Sequence, residues 1–180
     1  FLSQESLDVL SVSDVVITNP AFSLFKDLIK VIFDYNKQFL IIGNKNAATC
    51  KIIFPLVKSN QIRFGHHAVT EFLQPNGSVK KFGNICWFTN LFVDKEMPHL
   101  PLTKTYTLED YPIYDNFEAI NIDKLTDIPC DYDGVMGVPL TFLDKYNPNQ
   151  FEIVGYNLNE CVEELGIRPV GEAWVKLYQS

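Results

Sequence analysis

An α/β fold with a partly parallel sheet is the architecture this sequence predicts, on three observations. Residues 14–18, Asp-Val-Val-Ile-Thr, form a short apolar run of the kind used by buried parallel strands. A segment of helical period follows, and then a second apolar run at 39–42, Phe-Leu-Ile-Ile. Strand, helix and strand in that order make a βαβ unit, whose crossover helix lets two strands run parallel.

The helix places Leu24, Phe25, Leu28, Ile29, Ile32 and Phe33 on one face and Lys26, Asp27, Lys30 and Asp34 on the other. Ser23 is the expected N-cap, with Asp27 early in the helix, where a carboxylate suits the helix dipole. The second strand ends at Gly43-Asn44, and 46–58 has a helical pattern interrupted by Pro55. Beyond it the pattern turns to strands at 61–65, 69–73 and 84–89, with Pro75-Asn76-Gly77 as a turn between two of them. Asn76-Gly77-Ser78 fits a glycosylation sequon but reads as that hairpin turn. Residues 94–116, rich in Pro and Tyr, read as a connecting segment. The remainder predicts strands at 119–122, 151–156 and 173–178. Between the first two, 128–139 is turn-rich, with Gly134 and Gly137 read as loop glycines. Two parts are expected, 1–105 and an extension over 106–180.

With 180 residues, 47% of them hydrophobic and 13% aromatic, the chain can bury a substantial core, which excludes global disorder. No apolar run approaches the roughly 18 residues of a membrane-spanning helix. Cys50, Cys86, Cys130 and Cys161 are widely spaced, without a C-x-x-C pair, so free thiols of a cytoplasmic protein are expected rather than disulfides or zinc. The chain opens on Phe1 almost directly into the βαβ unit, and upstream elements are expected to be missing. The net charge of −7 is unevenly spread. Residues 1–106 hold 11 Lys and Arg against 8 Asp and Glu, whereas 107–164 hold 2 against 13. The first segment permits contact with phosphates; the acidic block reads as a solvated face. Neither His66-His67 nor Asp131-x-Asp133-Gly134 makes a metal site by its spacing. Adjacent strand residues point to opposite faces, and the second pattern lacks the later ligands of a calcium loop.

The functional signal lies in Asn19-Pro20-Ala21-Phe22, at the carboxyl end of the first strand, where open α/β sheets bind ligands. An exocyclic amino group on a purine is a poor nucleophile because its lone pair is conjugated into the ring. The Asn19 side-chain oxygen and the Pro20 carbonyl can each accept one of its N–H bonds. They thereby hold the nitrogen towards tetrahedral geometry and stabilise the positive charge that develops on it. Phe22 can stack on the base, a contact worth roughly 1–3 kcal/mol, once the base has left the duplex. The same four residues also fit an ordinary Asn-Pro turn with Phe22 as the core anchor of the next helix.

An apolar strand, an Asn-Pro-Pro-Phe/Tyr turn and a helix form the signature of the S-adenosylmethionine-dependent amino-methyltransferases, which "DVVITNPAFSLF" resembles. Together with "FLIIGNKNA", "GNICWFTNL" and "IPCDYDGVMGVPLTFLDKYNPNQFEIVG", it resembles the adenine-specific DNA methyltransferases of the EcoRI type, over 14–155. The resemblance implies part of a Rossmann-like methyltransferase sheet, mixed towards its C-terminal part, with 1–105 as the C-terminal half of the catalytic core. It implies methyl transfer from S-adenosylmethionine to adenine N6 in double-stranded DNA, by restriction-modification type enzymes and without a metal. Asn19 and Pro20 would bind the amino group, Phe22 the flipped base, and Phe1 would lie beside the cofactor. Ala21, Trp87 and Phe88 are further pocket candidates, the last two also fitting a buried aromatic pair. Two departures bear on activity. Ala21 stands where the family has a second proline, which loosens the loop by about 0.4–1 kcal/mol of backbone entropy. No G-x-G occurs for the methionine end of the cofactor. A DNA-binding remnant without catalysis, or methylation of RNA or of protein glutamine, are the alternatives.

Overall fold

A computed structural model describes residues 3–65, 69–92, 98–114, 118–156 and 172–177. The chain divides into two compact units, 1–93 and 94–180. The boundary between these units lies at 93/94, beside the division at 105/106 expected from the sequence. Residues 98–104 are tied to the second unit because the Gln150 amide clamps the Leu100 backbone, accepting from its N–H at 2.7 Å and donating to its carbonyl at 2.9 Å.

The first unit opens with helix α1 (Gln4–Val12), capped by Ser3, whose hydroxyl accepts from the Ser6 N–H. Strand β1 (Val15–Thr18), a 3-10 turn (Phe22–Leu24), helix α2 (Phe25–Asp34) and strand β2 (Gln38–Asn44) then form the expected βαβ unit, with β1 and β2 parallel. Ser23 lies inside the 3-10 turn and is not the cap; Leu24 takes that position without a side-chain bond. The helix ends in a Schellman motif: Asn36 adopts φ 50°, its N–H bonds the Phe33 carbonyl, and the Lys37 N–H bonds that of Ile32. A second 3-10 turn (Lys45–Thr49) precedes the short helix α3 (Phe54–Lys58). Pro55 starts this helix instead of interrupting it, because the first turn has no use for its missing N–H.

Strands β3 (Arg63–Phe64), β4 (Glu71–Leu73), β5 (Val79–Lys81) and β6 (Ile85–Thr89) follow. β6 inserts antiparallel between β2 and β3, giving a mixed sheet in the order β1-β2-β6-β3. Its core lies where α2 covers the face carrying Phe39, Ile41, Cys86 and Phe88. The Phe25 ring sits 4.8 Å from that of Phe88, which in turn sits 5.1 Å from that of Phe64. Gly43 is required here: a Cβ on it would come within 2.5 Å of the Phe25 ring. Thr89 and Asn90 complete the ladder at the start of β2. The Thr89 hydroxyl donates to the Phe39 carbonyl, and the Asn90 side chain bonds the Phe39 N–H and the Lys37 carbonyl. β1 was expected to be buried, yet Ile17 is 69% exposed. β1 ends the strand order, and Val15 and Ile17 point away from the face that α2 covers.

The second unit holds β7 (Ala119–Asn121), β8 (Val135–Pro139), β9 (Phe151–Tyr156) and β10 (Glu172–Leu177) in the order β7-β8-β10-β9. β8 corrects the reading of 128–139 as loop. Gly137 is a mid-sheet residue with neighbours Asn121 and Trp174, and the Ile122 N–H bonds its carbonyl. Gly134 is bare because the Tyr132 ring packs where its Cβ would stand. Among the described residues no helix is long and apolar enough to cross a membrane.

Candidate active site

The register of the first sheet determines what surrounds the Asn19–Phe22 segment. β6 runs antiparallel to β2 with Ile85 opposite Asn44, so its amino end lies at the carboxyl end of β2. β2 is parallel to β1, so that is also the edge from which Asn19 emerges. Whatever feeds into β6 must therefore rise from the same edge. What feeds into it is the β4–β5 hairpin, linked back to the sheet by the Val69 N–H to the Ile85 carbonyl. The hairpin tip is closed by Gly77 at φ 80°, where a side chain would be strained. The Asn76 side-chain oxygen accepts there from the N–H and hydroxyl of Ser78.

Between loop and hairpin lies an open cleft of about 330 Å3, lined on one side by Asn19, Pro20, Ala21 and Phe22 and on the other by Phe72, Gln74 and Phe82. Its size is at the small end of ligand pockets, which run from about 300 to 1,000 Å3. Phe72 and Phe82 meet edge to face at 5.3 Å and form an aromatic wall. Phe22 is 42% exposed, whereas Phe25, one helical turn on, is fully buried. The core anchor of the helix is therefore Phe25, which leaves the Phe22 ring to the cleft. Among the described residues, neither the Asn19 side chain nor the Pro20 carbonyl oxygen has a hydrogen-bond partner within the chain. The cleft thus offers two oxygen acceptors on one wall and aromatic faces around them, a combination suited to a flat ring bearing an amino group.

The other candidates lie elsewhere. Phe88 is wholly buried between Phe25 and Phe64 and serves as a core residue, not as a cleft residue. Trp87 points to the opposite face of the sheet, packed against Gly65, and does not line the cleft. Phe1 and the His66-His67 pair lie outside the described residues. Phe72, Gln74 and Phe82 are additions that the sequence reading did not single out. The Asn76-Gly77 turn carried their signal: pairing outward from it sets Phe72 opposite Lys80.

Residues 1–173 match the protein family described as adenine-specific methyltransferase EcoRI. The chain belongs to this methyltransferase family. The Type II methyltransferase M.EcoRI of Escherichia coli is 43% identical over 187 residues, covering 93% of this chain and 57% of that protein. The Type II methyltransferases M.MgeORF184P of Mycoplasma genitalium and M.MpnI of Mycoplasma pneumoniae are each 38% identical over 175 residues, covering 86% of the chain and 55% of theirs. The chain thus spans little more than half the length of these relatives. No solved structure matches it.

For a chain of the EcoRI methyltransferase family, the departure at Ala21 is smaller in geometry than in sequence. Ala21 has φ −57° and ψ 130°, within the range a proline would impose. The backbone bend expected of two consecutive prolines is kept, and only the covalent restraint is lost.

Proposed function

We propose that the chain carries the target-base site of a DNA adenine-N6 methyltransferase of restriction-modification type, acting on an adenine flipped out of a short duplex site. The observation that carries this reading is the cleft, which sets the unpartnered acceptors of Asn19 and Pro20 opposite the Phe72–Phe82 wall. Family membership and the names of the relatives support the same reaction. The first unit, with 9 Lys and Arg against 6 Asp and Glu, has the charge balance to approach phosphates.

In this reading the adenine ring enters between Phe22 and the aromatic wall. Its amino group donates one hydrogen to the Asn19 side-chain oxygen and the other to the Pro20 carbonyl. Both acceptors strengthen as the nitrogen becomes positive, which is where differential stabilisation accelerates the reaction. The methyl donor of the family, which we take to be S-adenosylmethionine, supplies an electrophilic carbon. We assign the Asn19–Phe22 cleft to the amino-group side of the reaction, within a Rossmann-like sheet of which β1, β2, β6 and β3 form a part. Residues 94–180 are assigned an accessory role in target recognition, and Cys50, Cys86 and Cys130, which form no disulfide among the described residues, support a cytoplasmic setting.

The test is transfer of labelled methyl from S-adenosylmethionine to unmethylated mixed-sequence duplex DNA, followed by nucleoside analysis. Label in N6-methyladenine is expected. No label, or label in cytosine, RNA or protein, overturns the assignment.

A further inference from the structure

We propose that Lys80 binds a backbone phosphate of the DNA strand whose base enters the cleft, an inference that rests on reading the cleft as an adenine site. The hairpin register pairs Phe72 with Lys80 and Glu71 with Lys81. Residues two apart on a strand share a face, and directly paired residues lie on the same face. Phe72, Gln74, Lys80 and Phe82 therefore occupy the hairpin face that meets the cleft, and Lys81 occupies the other.

The two lysines differ in their surroundings as well as their direction. Lys81 is held by Glu71 at 3.2 Å. Lys80 is exposed, with its ammonium 5.1 Å from the centroid of the Phe82 ring. A nucleotide is a flat base joined through its sugar to an anionic phosphodiester. A site for one needs an aromatic surface with a cation at its rim, and Phe82 and Lys80 supply that pair. In the free chain the ammonium rests on the ring through a cation–π contact. When a base takes that ring surface, the flexible four-carbon stem lets the ammonium swing outward to the phosphate without breaking an ion pair to Glu71.

Each phosphate neutralised by a protein cation adds about 0.9 to the slope of log affinity against log salt on duplex DNA. The probe is a duplex carrying one bulged adenine, which presents an extrahelical base whatever the recognition sequence. Binding is measured between 50 and 200 mM salt for the unsubstituted chain and for Lys80→Gln, Lys80→Arg and Lys81→Gln. Lys80→Gln should flatten the slope by about 0.9, so that about 3.5-fold less affinity is lost across this range. Lys80→Arg should restore the original slope, and Lys81→Gln should leave it unchanged. An unaltered slope in Lys80→Gln, or equal flattening in Lys81→Gln, overturns the assignment of Lys80 while leaving the adenine site standing. Failure of the unsubstituted chain to bind the probe overturns both.

Discussion

Phe22 and Phe25 stand three residues apart, and the structure gives them opposite work, so one substitution made at each separates function from folding. Phe25 is buried against Phe88 and Gly43, and Phe25→Ala should cost about 3–5 kcal/mol of stability, the range for emptying a packed aromatic site. Phe22 is 42% exposed and withdraws little more than half of its surface from water. Full burial of such a side chain is worth about 1.5–3 kcal/mol, so Phe22→Ala should cost only about 1–1.5 kcal/mol. Its loss should fall on the substrate instead. Base stacking on an aromatic ring is worth about 1–3 kcal/mol, which corresponds to roughly 5- to 150-fold in affinity for an extrahelical adenine. Urea unfolding gives the first quantity, and titration with the bulged-adenine duplex gives the second. If Phe22→Ala proves as destabilising as Phe25→Ala, or binds the duplex within twofold of the unsubstituted chain, Phe22 is a core residue and the account of the cleft is wrong.

Two further predictions concern other parts of the fold. Ala21→Pro restores the covalent restraint at a residue whose φ is already −57° and whose N–H donates no hydrogen bond among the described residues. It should stabilise the chain by about 0.4–1 kcal/mol in urea unfolding; destabilisation would mean that the loop needs that N–H. In the second unit, Tyr111 is buried and donates its hydroxyl to the Asp127 carbonyl. Burial above all, then the charges of Asp127, Asp110 and Asp131, raise its pKa above the ordinary value near 10. The folded state therefore keeps this proton after the unfolded chain has lost it. The associated stability is complete below pH 10 and is lost as pH rises through the higher folded value. Stability measured from pH 9 to 11 should fall in the unsubstituted chain and fall less steeply in Tyr111→Phe; parallel curves would exclude Tyr111 as the cause.

The βαβ unit was legible because its strands and helix are long, apolar and regular in period, and the Asn19–Phe22 segment was legible because its chemistry is local. What could not be read is equally specific. The β5 segment Val79-Lys80-Lys81 is three residues with two charges, and only its pairing with β4 makes it a strand. Without it the aromatic wall of Phe72 and Phe82 has no visible connection to a loop 50 residues earlier. Gly137 and Pro139 carry the composition of a turn, yet tertiary pairing places them in the middle and at the end of a strand. Phe22 and Phe25 are chemically identical, and only the placement of the helix on the sheet decides which of them faces the core.

Asn19→Ala measures the central claim most directly. Asn19 is exposed and its side chain has no hydrogen-bond partner among the described residues, so it adds little to stability. Removing one preorganised polar group from a charge-stabilising site costs about 100- to 1,000-fold in turnover. Rates of labelled methyl transfer to adenine N6 by Asn19→Ala and by the unsubstituted chain, compared at matched folded fraction, should differ by that factor. Transfer within a few-fold of the unsubstituted rate would contradict the assignment of Asn19 and with it the cleft as the site of chemistry.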